Sequence, residues 1–319
     1  MKLVSLAGGV GGAKLSDGLA EVLPPADLTV IVNTGDDFEH LGLRICPDLD
    51  TVCYTLAGLA NLVTGWGRAG ETWNALENLA ELGGPDWFRL GDKDLATHLE
   101  RTRLLSKGFT LSQVTWRLCQ AWRIKPQVLP MSDDLVTTIV DTDEGVLSFQ
   151  DYFVRRQCRP RVSGFRFAGV EEARPAEGVI DAIHEADLVI ICPSNPWVSI
   201  NPILAVPGVK TALTGRQVIA VSPIVAGQAI KGPAAKMCSE LGLEPSSLTV
   251  AQHYGAQQRG GVLTGFILDN LDSDEQEHIH ATGVQALVEN TLMKTPSDRV
   301  RFASQVLAFG ERLLAVKEV

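Results

Sequence analysis

The stretch Leu3-Val4-Ser5-Leu6-Ala7-Gly8-Gly9-Val10-Gly11-Gly12-Ala13-Lys14 opens the chain and decides its fold class. A short apolar run, four glycines in five positions, and then Leu15, Leu19, Val22 and Leu23 at helical spacing read as strand, tight turn and helix. Such a unit is the anion-cradling start of a doubly wound α/β fold. Glycines let the backbone approach an anion, the first amides of the helix point at it, and the helix dipole favours its charge. Lys14 can add a cation. The turn departs from two familiar patterns. Ala13 and Leu15 flank Lys14, so no hydroxyl is supplied for magnesium as in an ATPase phosphate loop, and Lys14 stands where a dinucleotide turn carries its third glycine.

Working outward, Leu28-Thr29-Val30-Ile31-Val32 is a second buried strand, ending in Asn33-Thr34-Gly35-Asp36-Asp37. In a parallel sheet, ligands lie beyond the carboxyl ends of the strands, so topology brings these polar residues to the site. Cys46-Pro47-Asp48-Leu49-Asp50-Thr51-Val52 then leads into a helical stretch through Leu59 and Leu62. Capping accounts for one carboxylate at a helix start. The larger acidic set, with Asp36, Asp37, Asp48 and Asp50 near a phosphate loop, favours a hard divalent cation such as Mg2+.

From about 66 to 125 the pattern is helical and too long for a simple crossover, so a helical insertion or cap over the sheet is expected. Within it lies Leu90-Gly91-Asp92-Lys93-Asp94-Leu95-Ala96-Thr97-His98, where Asp92 suits a helix cap and His98 reads as a half-exposed helical residue. Residues 126–175 form a small β-containing segment, with a hairpin turn at Thr142-Asp143-Glu144-Gly145. Its arginines, Arg155 to Arg174, read as a solvated surface. The doubly wound pattern resumes with strands at 186–192 and 217–221, which end in Pro193-Ser194-Asn195-Pro196 and Ser222-Pro223-Ile224. Gly265-Phe266-Ile267-Leu268-Asp269 reads as the final strand, and 300–316 as an amphipathic closing helix. One unit spanning 1–319 is expected, Rossmann-like and doubly wound with a mainly parallel sheet.

Bulk properties bound the function. The 319 residues are 45% hydrophobic and 21% charged, an ordinary globular composition, and a net charge of −10 argues against a protein that wraps nucleic acid or adheres to anionic lipid. No apolar run approaches the roughly twenty residues of a membrane span and no signal-peptide pattern opens the chain, so a cytoplasmic protein is expected. The six cysteines lack metal-ligand spacing and read as reduced, mostly buried thiols.

Taken together, the glycine turn, Asn33-Thr34-Gly35-Asp36-Asp37, Pro47-Asp48-Leu49-Asp50-Thr51, the 90–98 stretch, Pro130-Met131-Ser132-Asp133-Asp134, Pro193-Ser194-Asn195-Pro196, Ser222-Pro223-Ile224 and Gly232-Pro233-Ala234 resemble the CofD family over almost the whole chain. The family comprises the 2-phospho-L-lactate transferases of coenzyme F-420 biosynthesis. The resemblance implies a Mg2+-dependent transfer of a phospholactyl or phosphoenolpyruvyl group from a GDP-activated donor to the terminal ribityl hydroxyl of the deazaflavin Fo, releasing GMP. It implies Asp50 and Asp48 as catalytic residues; Asp50, Lys93, Asp92 and His98 on the deazaflavin; Gly8, Gly9, Gly11, Gly12, Lys14, Ser194, Asn195 and Ser222 on the donor; and Asp50, Asp37 and Asp48 on the metal. The same resemblance implies a homodimer, and an Asp50→Asn variant is expected to lose activity with its fold intact. Two other readings remain open at this stage: a nicotinamide-dependent oxidoreductase, and a guanine-nucleotide sensor without catalysis.

Overall fold

The computed structural model describes residues 1–317; the last two residues of the expected single unit, 318 and 319, lie outside the described residues. Among the described residues, seven strands form one sheet: β1 (Leu3–Ala7), β2 (Leu28–Val32), β3 (Gln127–Pro130), β4 (Leu188–Ile191), β5 (Gln217–Val221), β6 (Gly265–Asp269) and β7 (Gln285–Glu289). They lie in the order β7-β6-β5-β4-β1-β2-β3, every pair parallel. The chain builds one half outward from β1 to β3, crosses back to β4 on the other side of β1, and continues to β7. The strand order therefore reverses between β1 and β4, and a crevice opens there above the strand ends.

Strand alternation divides the core into two layers. Val4, Leu6, Ile31, Val189, Ile191 and Phe266 face one layer, while Leu3, Val30, Val32, Ile190, Ile219 and Ile267 face the other. Both faces are covered, which is why these strands are continuously apolar. Helix α1 (Gly9–Val22) packs on the second face against the closing helix Pro296–Lys317. Their approach is close because Gly18 has no side chain: a Cβ there would stand 2.3 Å from the Arg299 carbonyl oxygen.

Several expectations are corrected. Beyond Gly265–Asp269 the sheet gains β7, whose residues Gln285-Ala286-Leu287-Val288-Glu289 are largely half-exposed at the sheet edge and carry no strong strand signal. A hairpin pairing Phe38–His40 with Leu43–Ile45 follows β2. Its turn places Leu41 at φ 55° and Gly42 at φ 72°, so a leucine takes a position usually held by asparagine or glycine. Helix α2 (Pro47–Leu56) stops short of Leu59 and Leu62 because Gly58, at φ 68°, turns the chain out of the helix. Leu62 and Val63 are exposed instead. Residues 57–73 form loop, so the expected insertion at 66–125 begins in loop and then carries the helices α3 (Asn74–Glu81), α4 (Asp92–Leu105) and α5 (Leu111–Ala121). Within 126–175, β3 belongs to the main sheet as its edge strand, where Pro130 is tolerated; Gly145–Ser148, Thr137–Thr142 and Val162–Ala168 form a separate antiparallel sheet. Five of the cysteines are buried and Cys158 is half-buried. Among the described residues no helix is long and apolar enough to cross a membrane.

Candidate active site

The site starts at the switch point. Gly9 opens α1 at φ 62°, a conformation only glycine adopts without strain. The neighbouring glycines are demanded by close contacts: a Cβ on Gly8 would lie 2.6 Å from Asp48 Oδ2, on Gly11 2.1 Å from the Pro193 carbonyl oxygen, and on Gly12 2.7 Å from Ser194 Oγ. The turn is thus wedged between the end of β4 and the start of α2. Ser194 Oγ accepts from the Gly8 amide at 3.1 Å and donates to the Gly8 carbonyl at 2.8 Å, stapling β1 to β4 across the crevice. Asn195 Oδ1 accepts from the amides of Trp197 and Val198 and caps the turn that follows.

Asp48 joins this staple. Its Oδ1 accepts from the Gly9 amide at 2.8 Å and its Oδ2 from Asn33 Nδ2 at 2.9 Å. Pro47 begins α2, and Asp48 and Asp50 fall in its first turn, where the dipole favours carboxylates. Burial pushes the Asp48 carboxyl up to about 6, against the two hydrogen bonds it accepts.

Asp50 is bound from the other side. Arg101, 2% exposed, grips both its oxygens: Nη1 donates to Oδ2 at 3.0 Å and Nη2 pairs with Oδ1. Nη1 also donates to His98 Nδ1 at 3.0 Å and to the Arg44 carbonyl at 3.3 Å. His98 Nε2 stands 3.4 Å from Asp94 Oδ1, which accepts from the Tyr54 hydroxyl at 2.6 Å. Burial works against the Asp94 charge, but His98 and Tyr54 outweigh it and hold the carboxyl below its usual range. His98 is therefore a buried member of a polar network, 2% exposed, rather than half-exposed.

These groups line one cavity of about 770 Å³ that runs from the glycine turn past Asp36, Asp48 and Asp50 to Asp94 and His98. That volume is in the range of small-molecule sites. Gly8, Gly9, Gly11, Lys14, Ser194 and Asn195 line it as well. Lys14 Nζ donates to the Met293 carbonyl at 2.9 Å, and burial, with the charges of Arg299 and Lys231, lowers its pKa. Lys231 and Lys294 bring two further cations to the wall. Aromatic faces complete it: Trp87 and Phe88 on the insertion side, and on the other Phe149 stacked on Phe153 with ring centres 5.3 Å apart.

The remaining sequence candidates lie elsewhere. Among the described residues, Asp37, Asp92, Lys93, Gly12 and Ser222 are outside the cavity lining. Asp37 pairs with Arg44 at 3.3 Å, and burial pushes its carboxyl up to about 7 against the pull of that arginine. Asp92 accepts from Thr72 and from the amides of Asn74 and Ala75, so it caps α3 rather than its own helix. Lys93 Nζ donates to the Ala69 carbonyl at 3.2 Å on the surface. Ser222 Oγ donates to the Ile224 carbonyl and accepts from Ser247 Oγ, each at 2.8 Å. Sequence reasoning missed Arg101, Asp94, Tyr54 and the aromatic walls. A signal was present for the first two: Asp94, His98 and Arg101 at i, i+4 and i+7 share one face of α4.

The family profile described as 2-phospho-L-lactate transferase CofD matches residues 3–308. The chain belongs to the CofD family. Among curated relatives of this CofD protein, a phosphoenolpyruvate transferase of Streptomyces coelicolor is 43% identical over 98% of this chain and 99% of its own. The enzyme of the same name from Streptomyces griseus is 42% identical over 99% and 100%, and that from Thermobifida fusca 44% over 86% and 88%. Two crystal structures of a Bacillus halodurans protein, one described as a UPF0052 family member, superpose with TM-scores of 0.62 and 0.64 at 14% and 15% identity. They cover 96% of this chain and 98% and 99% of their own, a likeness of fold.

The donor set fits a hard divalent cation in part. Asp36 Oδ1 and Asp37 Oδ1 are buried carboxylate oxygens without a hydrogen-bond partner, and Asp36 lines the cavity with Asp48 and Asp50. Burial and the charges of Asp48 and Asp37 push the Asp36 carboxyl well up, a strain a cation would relieve. One ligand atom each from Asp50, Asp94 and His98 also lie within 4.8 Å of one another. Arg101 already supplies positive charge to that second cluster.

Proposed function

We propose that this CofD-family transferase moves a phosphoenolpyruvyl or phospholactyl group from a GDP-activated donor to the terminal ribityl hydroxyl of Fo, releasing GMP with the help of Mg2+. The observation that carries the reading is the shared cavity: glycine turn, lysines, buried carboxylates and aromatic faces line a single volume at the switch point. The whole-length match to curated phosphoenolpyruvate transferases favours the enolpyruvyl donor.

In this reading the acceptor oxygen attacks the phosphorus bearing the carboxylate-carrying group, and the bond from that phosphorus to the GMP oxygen breaks. Charge builds on the non-bridging oxygens and on the departing phosphate, so catalysis consists of alignment and charge neutralisation. The glycine turn, whose residues 8–11 line the cavity, would receive the donor's phosphates with its backbone amides, and Lys14 on the same wall would add positive charge. The apolar side walls stack flat rings and exclude water. Asp50 accepts the hydrogen bond of the attacking hydroxyl, and the hydroxyl proton passes to that carboxylate as the new O–P bond forms. Asp36, Asp48 and Asp50 would hold the divalent ion; when bound, it neutralises developing charge on the phosphoryl oxygens. On the family resemblance the protein works as a homodimer.

The test is to incubate the purified protein with Fo, Mg2+ and each synthetic guanylated donor in turn, reading product and GMP by mass. Fo acquiring the donor's phospho-carboxylate group supports the reading. Tight guanine-nucleotide binding with no product would support a sensor instead, and NAD(H) binding without nucleotide selectivity an oxidoreductase.

A further inference from the structure

We propose that Arg101 is a positioning residue: it locks the Asp50 carboxylate and one tautomer of His98 into a fixed array that, with Asp94, receives the hydroxyl chain of the acceptor. The proposal rests on the function just given and adds a residue and a recognition chemistry to it.

Arg101 lies behind the cavity wall and acts through its neighbours. A guanidinium nitrogen only donates. The 3.0 Å contact from Nη1 therefore makes His98 Nδ1 the acceptor and leaves the ring proton on Nε2. That nitrogen is buried, has no hydrogen bond, and sits in the cavity wall 3.4 Å from Asp94 Oδ1. Asp94 is held in turn by the Tyr54 hydroxyl. The corner thus presents one N–H donor beside the Asp94 carboxylate, with the Asp50 carboxylate 3.7 Å from the ring's other nitrogen. A hydroxyl group, donor and acceptor at once, matches such a corner. A phosphate, which only accepts when ionised, would face two carboxylates there. The donor's phosphates are accordingly directed to the glycine turn and the lysines, and the polyol to α4.

The fork geometry explains why the residue is arginine. The side chain serves Asp50 through two nitrogens while reaching His98 and the Arg44 carbonyl. A lysine supplies the charge but not this planar set. The third contact ties the corner to the hairpin strand Leu43–Ile45, so one side chain joins α2, α4 and the hairpin.

The experiment uses the full-length chain. Fo is titrated by its fluorescence against wild type, Arg101→Lys and His98→Asn, and initial rates are measured with Fo and the guanylated donor varied separately. His98→Asn leaves the Arg101–Asp50 pair in place and serves if Arg101→Lys fails to fold. The proposal predicts at least about a tenfold weaker Fo affinity in both variants, with the donor KM within about twofold of wild type. Wild-type binding of Fo with unchanged affinity in the folded variants would overturn the role of Arg101 while leaving the function standing. Equal losses for donor and acceptor would reduce it to a general support of the fold. Failure of the wild type to bind Fo would overturn the proposed function and this inference with it.

Discussion

The buried carboxylates make the metal-free protein lose stability as the pH rises from the acid side to about 7. Burial raises Asp37 from 3.8 to about 7 and Asp48 to about 6, so the folded state holds protons that the unfolded chain releases. The stability from these protonated carboxyls is complete below the unfolded value near 4 and is lost as pH rises through 6 and 7. At roughly 1.4 kcal/mol per pH unit up to its folded value of about 7, Asp37 alone costs about 3 kcal/mol between pH 5 and pH 8, on the order of 5 °C in Tm for a domain of this size. The assay is a set of thermal melts in EDTA across that interval for wild type and Asp37→Asn. Wild type should lose Tm as pH rises, and the Asn variant, which keeps an oxygen for Arg44, should lose clearly less. Mg2+ added near pH 8 should return part of the loss by satisfying the ionised oxygens, and near pH 5 should do little. Parallel profiles for the two proteins would refute the reasoning, as would a wild-type Tm that rises with pH while the Asn variant follows it.

Asp50→Asn should lower turnover at least about 100-fold. Contrary to the expectation of an intact fold, it should also cost about 3–5 kcal/mol, because Arg101 is left buried without its counter-charge; melts and initial rates on one preparation separate the two losses. Gly11→Ala brings a Cβ more than an ångström inside ordinary contact with the Pro193 carbonyl. It should cost about 1–3 kcal/mol in melts and, by parting β4 from α1, on the order of 100-fold in rate.

The half of the site built from the strand ends was legible in the sequence. Strand, glycine turn and helix follow from local pattern, and parallel topology carries Gly8, Asp48 and Ser194 to one edge without further information. The half contributed by α4 was harder to read, because a helix displays its polar face without saying whether that face meets solvent or a neighbour. His98 therefore read as half-exposed and Asp94 and Arg101 drew no reading of their own, although their spacing put all three on one stripe. Asp92 capping α3 across 18 positions from Asn74 is a tertiary contact with no local signature. The hairpin after β2 hid because its turn uses Leu41 in a left-handed conformation. Strand β7 hid because an edge strand needs less apolar content than a central one.

Whether one cavity seats both substrates is read most directly from a crystal structure of the protein soaked with GDP, Mg2+ and Fo. The diphosphate is expected at the amides of the glycine turn, and the ribityl chain against Asp50, Asp94 and His98 within the same cavity. Nucleotide and deazaflavin bound in separate places, with the corner held by Arg101 untouched, would contradict a shared site.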